Sequence, residues 1–147
     1  MPGRCRCGRV QFMLREEPIA FYLCHCTDCQ AETGSAFGQS MAVRREAIDA
    51  VGGPTREHTS EGPEGRRSLM TYCGNCLTQL WGHSVEIPQV LGLNAGSLED
   101  AAGLTPYGNM WTRSKRPWAP LAPGPQYDQQ PDDPLAMIRI WQERAAR

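Results

Sequence analysis

The chain has 147 residues, with 15 Lys and Arg against 16 Asp and Glu. That is one domain's worth of chain, long enough to own a core, and too evenly charged to draw nucleic acid or an anionic membrane over distance. With 15 Gly, 12 Pro and 7% aromatics, long coiled coils and helical bundles are excluded, leaving turns and short strands.

Val10, Phe12 and Leu14 alternate within residues 9–14, the period-two pattern of a strand with one buried face. Pro18 marks a turn, and Ile19 to Leu23 reads as a second strand running into a loop with three cysteines. Thr27 to Thr33 predicts a short helical turn stopped at Gly34. Ala36 to Val43 is a further strand. Residues 52–65 read as loop and hairpin turns, with a short exposed strand at Thr55 to Thr59. Arg67 to Tyr72 leads into the turn Cys73-Gly74-Asn75-Cys76, and Thr78 to Gly82 returns from it. Gln89 to Asn94 and Tyr107 to Trp111 complete the strands.

Residues 117–134 are a proline-rich strap. Asp133 is a helix cap, Pro134 suits the first helical position, and Arg144 and Arg147 suit the C-terminal dipole. Leu135, Ile138 and Trp141 recur at three-residue steps. Together they predict one amphipathic helix over Pro134 to Ala145, with Trp141 packed on a sheet. The expected fold is mainly β, small antiparallel sheets stapled by metal with a C-terminal helix, in a single domain over 1–147.

The seven cysteines fall in three clusters: Cys5 and Cys7; Cys24, Cys26 and Cys29; Cys73 and Cys76. An odd count, and a strained ring for any C-x-C pair, argue against disulfides. No apolar run reaches the roughly 20 residues of a membrane helix. Met1-Pro2-Gly3-Arg4-Cys5 lacks the apolar core of an export signal. The expected compartment is therefore the cytoplasm, where thiols stay reduced. A redox C-x-x-C needs a following helix that Cys73 to Cys76 lacks, and iron–sulfur spacings are absent.

Zinc fits better. It takes four thiolates in a closed structural site and three protein ligands where one position stays open for chemistry. Seven divides as four plus three, so two zinc ions per chain are expected. Spacing leaves two partitions. Cys26 and Cys29 with Cys73 and Cys76 would make a zinc ribbon. Cys5 and Cys7 with Cys73 and Cys76 would leave Cys24, Cys26 and Cys29 together. Chain economy favours the second, because three ligands within six residues can form on one loop.

Gly3-Arg4-Cys5-Arg6-Cys7-Gly8-Arg9-Val10 resembles the opening signature of the glutathione-dependent formaldehyde-activating family. Cys24-His25-Cys26-Thr27-Asp28-Cys29, followed by Thr33-Gly34-Ser35-Ala36-Phe37, resembles its second signature. Tyr72-Cys73-Gly74-Asn75-Cys76 with Thr78 and Leu80 resembles its third. Gly96-Ser97-Leu98-Glu99-Asp100 and Lys115-Arg116-Pro117-Trp118 resemble two later landmarks. The resemblance runs over about 3–118, with the strap and helix at 119–147 beyond it.

The resemblance implies a β-tent fold with two zincs. Cys5, Cys7, Cys73 and Cys76 would form the structural site, and Cys24, Cys26 and Cys29 the catalytic one. It implies a carbon–sulfur lyase of the S-hydroxymethylglutathione synthase kind, joining glutathione or a similar thiol to formaldehyde or a related aldehyde. Leu77 stands where family members usually have Gly, and Asn109 where they often have His. The family also includes proteins resembling centromere protein V. The rival reading is therefore a non-catalytic zinc module that binds a protein partner. The expected partners are a small thiol and an aldehyde, with no nucleic acid and no membrane; a homodimer is admitted.

Other residues carry weaker signals. His25 reads as a side chain turned away to cap a carbonyl, ahead of a proton donor or fourth ligand. Asp28 and Gln30 flank Cys29 and would contact substrate, support the ligands or face solvent. Thr33 and Ser35 would bind a carboxylate or shape the turn at Gly34. Arg113, Lys115 and Arg116 read first as a solvated strap with Trp111 and Trp118 packed inward, and second as a charge partner for an acidic thiol. His58 and His83 are expected at the surface, and Glu99 and Asp100 at a turn.

Overall fold

In the computed structural model, residues 1–62 and 65–144 are described. In chain order the elements are β1 (Pro2–Arg4), β2 (Gln11–Leu14), β3 (Ala20–Cys24), α1 (Thr27–Thr33), β4 (Gly38–Arg44), β5 (Ile48–Gly52), β6 (Thr55–Glu61), β7 (Arg67–Cys73), β8 (Gln79–Ser84), β9 (Val90–Asn94), β10 (Asn109–Met110) and α2 (Ala136–Arg144). The protein is mainly β, with one short helix near its C-terminal end, as its alternation and turn content lead one to expect. Its contacts divide it into two units: Met1–Pro18 with Met41–Gly103, and Ile19–Ser40 with Leu104–Arg147.

In the first unit, the alternation of Val10, Phe12 and Leu14 buries all three side chains. β2 is flanked by β1 and β5, both antiparallel. Neither flanking strand is expected from sequence. β1 has three residues, two of them Pro and Gly, and β5 carries no clear alternation. Gly3 in β1 lies opposite Phe12, and a Cβ there would sit 2.2 Å from the Phe12 ring. Only glycine lets the ring lie flat against its neighbour. Phe12 in turn meets Trp81 edge-on at 5.6 Å. β6, β7, β8 and β9 form an antiparallel meander. β6 extends two residues past the expected Thr59, and six of its seven side chains are exposed.

In the second unit, β3 pairs with β10 in parallel, Leu23 opposite Asn109 and Cys24 opposite Met110. This departs from the antiparallel expectation. The strap explains it: Gly108 and Asn109 donate backbone N–H groups to Pro123 and Pro125 carbonyls, and Tyr127 donates back to Asn109. β10 is thereby held on both edges although it is two residues long. Asp133 accepts the Leu135 N–H at 2.9 Å, as expected of a cap, but α2 begins at Ala136 rather than at the expected Pro134, after a tighter turn closed by the Ala136 N–H to the Asp133 carbonyl. Trp141 packs edge-on against Phe21 of β3 at 6.5 Å. The buried face of α2 is Ala136, Met137 and Trp141, whereas Leu135 is exposed. A four-residue step from Met137 to Trp141 sets the face, because 3.6 residues per turn carries a strict three-residue stripe off it. The expected helix end at Ala145, and Arg147 beyond it, lie outside the described residues. Among the described residues no helix is long and apolar enough to cross a membrane.

Candidate metal centres

The first cluster belongs to the first unit. Cys5 and Cys7 lie on the turn after β1, closed by Cys5 N–H to Val10 carbonyl at 3.0 Å and Gly8 N–H to Cys5 carbonyl at 2.9 Å. Cys73 ends β7, and the turn to Cys76 is closed by Leu77 N–H to Cys73 carbonyl at 3.0 Å. Leu77 has φ 58°, a left-handed conformation that suits glycine. Cys5 and Cys7 sulfurs are 3.5 Å apart, Cys7 and Cys73 sulfurs 3.9 Å, and all four lie within 4.8 Å of one another. Sulfurs about 2.3 Å from a tetrahedral cation stand roughly 3.8 Å apart. The cluster therefore has the spacing of a four-thiolate metal site.

Donors surround it. Val10 N–H reaches Cys5 Sγ at 3.3 Å, Asn75 N–H reaches Cys73 Sγ at 3.4 Å, and Asn75 Nδ2 reaches Cys7 Sγ at 3.4 Å. Thr78 Oγ1 lies 3.1 Å from Cys76 Sγ. The Thr78 hydroxyl and backbone N–H favour the Cys76 thiolate and hold it down to about 5. Such donors spread the negative charge that four thiolates bring to a dication.

The second cluster belongs to the second unit and lies on one loop. Cys24 ends β3, and Cys26 is the cap of α1, its sulfur accepting the Cys29 N–H at 3.3 Å. Gly34 stops α1 with φ 65°, as expected. The three sulfurs lie within 4.8 Å of one another; Cys24 and Cys26 are buried and Cys29 partly so. Thiol donation from Cys24 and Cys29 holds Cys26 down to about 2. Donation to Cys26 pushes Cys24 up to about 12, and Cys29 is raised by donating to Cys24 and Cys26. Without a cation the cluster thus carries one negative charge shared by three sulfurs. A thiophilic dication would let all three ionise, so the donor set fits such an ion. Gly38 closes the back of this cluster: a Cβ there would meet Cys29 Cβ and Sγ at 3.2 Å.

His25 is fully buried, its Nε2 3.3 Å from Asn109 Oδ1. It does not cap a carbonyl; its own carbonyl is the one bound, accepting from Gln30 Nε2 at 2.8 Å and Ser114 Oγ at 2.9 Å. Gln30 also donates to the Ser114 carbonyl at 2.9 Å. It is buried and ties the cysteine loop to the turn at 112–114, a role carrying no sequence signal. Thr33 Oγ1 donates to Cys29 carbonyl at 2.7 Å and accepts Ser35 N–H at 3.1 Å, so it shapes the turn. Asp28 is exposed in the first turn of α1. His58 is exposed on β6, and His83 is partly buried beside Arg45. Glu99 pairs with Arg4 at 3.0 Å. Asp100 accepts the Ala102 N–H at 3.4 Å, the turn expected of it. Trp111 is buried, but Trp118 is 76% exposed, against the inward packing expected for both.

A family model described as glutathione-dependent formaldehyde-activating enzyme matches residues 1–114. No curated protein gives a significant match. One similar solved structure is a crystal structure of a Rhodobacter sphaeroides protein, 19% identical, covering 67% of this chain and 88% of that one, with a TM-score of 0.49. The family match spans all seven cysteines and more than three quarters of the sequence, and the chain belongs to the glutathione-dependent formaldehyde-activating enzyme family.

Proposed function

We propose that the protein is a zinc-dependent carbon–sulfur lyase joining a small thiol, glutathione or a relative, to formaldehyde or a related aldehyde. Cys5, Cys7, Cys73 and Cys76 hold a structural zinc, and Cys24, Cys26 and Cys29 a catalytic one. The observation that carries this reading is the contrast between the clusters. Four sulfurs from two turns suffice to close one site, while three sulfurs from one loop leave a tetrahedral ion one ligand short.

Zinc bound by the three cysteines would supply a position that keeps an incoming thiol deprotonated at neutral pH. Cys24, Cys26 and Cys29 are fixed for this by the Cys26 cap on α1 and by the Gln30 and Ser114 hydrogen bonds to the His25 carbonyl. In the addition, the thiol sulfur bonds to the aldehyde carbon, the C=O π bond opens onto oxygen, and the proton lost by sulfur ends on that oxygen. The addition also proceeds without an enzyme, so holding sulfur and carbon together is the main contribution asked of the protein.

NMR exchange between free formaldehyde and its glutathione adduct tests this. Zinc-loaded protein should accelerate exchange above the uncatalysed background, and Cys24→Ala should abolish the acceleration while the chain stays folded. No acceleration with both zincs in place would remove this substrate pair and favour the protein-binding module.

A further inference from the structure

The second unit carries a cleft of about 620 Å³ lined by Thr27, Gln30, Gly34, Ser35, Arg116 and Trp118, among others. Thr27 and Gln30 directly follow Cys26 and Cys29 in sequence, so the cleft starts where the three-thiol loop ends. Its other wall is the segment after Ser114. That segment is anchored to the loop by Gln30 to the Ser114 carbonyl and by Ser114 to the His25 carbonyl. Loop and wall are therefore fixed with respect to each other.

Of the three cations around Ser114, Arg116 lines the cleft, and the other two, Arg113 and Lys115, are committed elsewhere. Lys115 Nζ donates to the carbonyls of Arg116 at 2.9 Å, Pro117 at 3.5 Å and Ala119 at 2.9 Å. This fills its three donors and winds the turn that carries Arg116 and Trp118. Arg113 stacks over Trp111 at 4.8 Å. Among the described residues the Arg116 guanidinium makes no ion pair or hydrogen bond. Beside it Trp118 leaves most of a large apolar ring in water, while Trp111 and Trp141 are buried. Neither residue is spent on the fold, and both line the same cleft.

We propose that Arg116 and Trp118 determine specificity at the three-thiol site by holding the body of a small thiol that carries a carboxylate. This rests on the function proposed above. The guanidinium forks onto the carboxylate, and the indole covers the methylenes or peptide planes between carboxylate and sulfur. The cleft volume falls within the several hundred Å³ usual for small-molecule sites. One uncommitted planar cation, with neutral Gln30, Thr27 and Ser35 around it, suits a planar, singly charged carboxylate. A phosphate carries up to about two charges and would call for a second cation. Neutral thiols would reach the sulfurs without this hold and bind more weakly.

The test uses S-methylglutathione, whose blocked sulfur cannot be a thiolate ligand, so that binding reports the cleft alone. Zinc-loaded protein is titrated while the indole N–H resonance of Trp118, assigned with Trp118→Phe, is followed. The Trp118 resonance should shift on binding. Affinity should fall about tenfold or more in Arg116→Ala, the loss expected for a hydrogen bond to a charged group. The diethyl ester of the probe should bind wild-type protein as weakly as the acid binds Arg116→Ala. Equal affinity of wild-type and Arg116→Ala protein, or no response at Trp118, would overturn the inference; Arg116 is exposed, so misfolding is not the expected cause of a loss. Formaldehyde–glutathione exchange separates the two proposals. Acceleration with the same KM in both proteins keeps the reaction and removes the subsite. Arg116-dependent probe binding without acceleration keeps the subsite and removes the reaction.

Discussion

The Asn109 side-chain amide fixes the hydrogen on the His25 ring. Asn109 Nδ2 donates to the Ala122 carbonyl at 2.9 Å, and its Oδ1 accepts the Ala122 N–H at 3.0 Å. Reversing the amide would break both bonds. Oδ1 is therefore an acceptor, and the His25 Nε2 facing it at 3.3 Å must be the donor. Nε2 therefore bears a hydrogen, and buried Nδ1 has no partner among the described residues. Nitrogen-resolved NMR of the imidazole should show the Nε2–H; a hydrogen on Nδ1 alone would contradict the amide assignment. Asn109→Ala removes the amide that holds Ala122 and His25 and should cost about 2–4 kcal/mol of stability in urea unfolding, because buried polar groups lose their partners.

Leu77 occupies a left-handed position with its side chain 64% exposed. A non-glycine residue there costs roughly 1–2 kcal/mol, of which glycine's greater freedom in the unfolded chain takes back a part. Leu77→Gly should therefore raise the unfolding free energy of the zinc-loaded protein by up to about 1 kcal/mol. A loss of stability would mean that Leu77 makes a contact worth more than the strain.

Gly38 is required by its distance to Cys29. A methyl group there must push the Cys29 sulfur or be pushed by it. Gly38→Ala should weaken zinc at the three-thiol site and leave the four-thiol site unchanged. A chelator competition should then show one of two zinc ions released markedly earlier than in the wild type. Two ions released as in the wild type would show that β4 can give way.

Zinc binding at the three-thiol site should release about two protons. Cys26 is held down to about 2 and is already ionised near neutral pH. Cys24, pushed up to about 12, and Cys29, also raised, are protonated. Both must lose a proton to bind, so affinity should rise with pH by up to about a hundredfold per unit across the neutral range and fall on acidification. Calorimetry in buffers of different ionisation enthalpy counts the protons directly. A pH-independent affinity would show that the metal-free thiols are already ionised.

Much of the molecule is legible in short windows of sequence. The alternation of Val10, Phe12 and Leu14, the stop at Gly34 and the cap at Asp133 each depend on a few neighbouring residues, and the structure carries all three. β1 and β5 are not legible, because strands of three to five residues without alternation are defined by the partner they meet.

The sequence by itself determined the chemistry: seven thiols in one- and two-residue gaps, on turns between short strands, and too few long apolar runs for any other organisation. Ligand spacing left the grouping of the thiols open, since it constrains only cysteines on the same turn; chain economy and the family resemblance favoured the grouping that the structure shows. Tertiary structure brought Cys7 to Cys73 across 66 residues, His25 to Asn109 across 84 and to Ser114 across 89. It also turned Trp111 inward and Trp118 outward, although only six residues separate them. Local rules act through backbone geometry within a turn or two. Which distant residues meet is set by how strands pair and which surfaces remain to be covered, and no short stretch of sequence contains that choice.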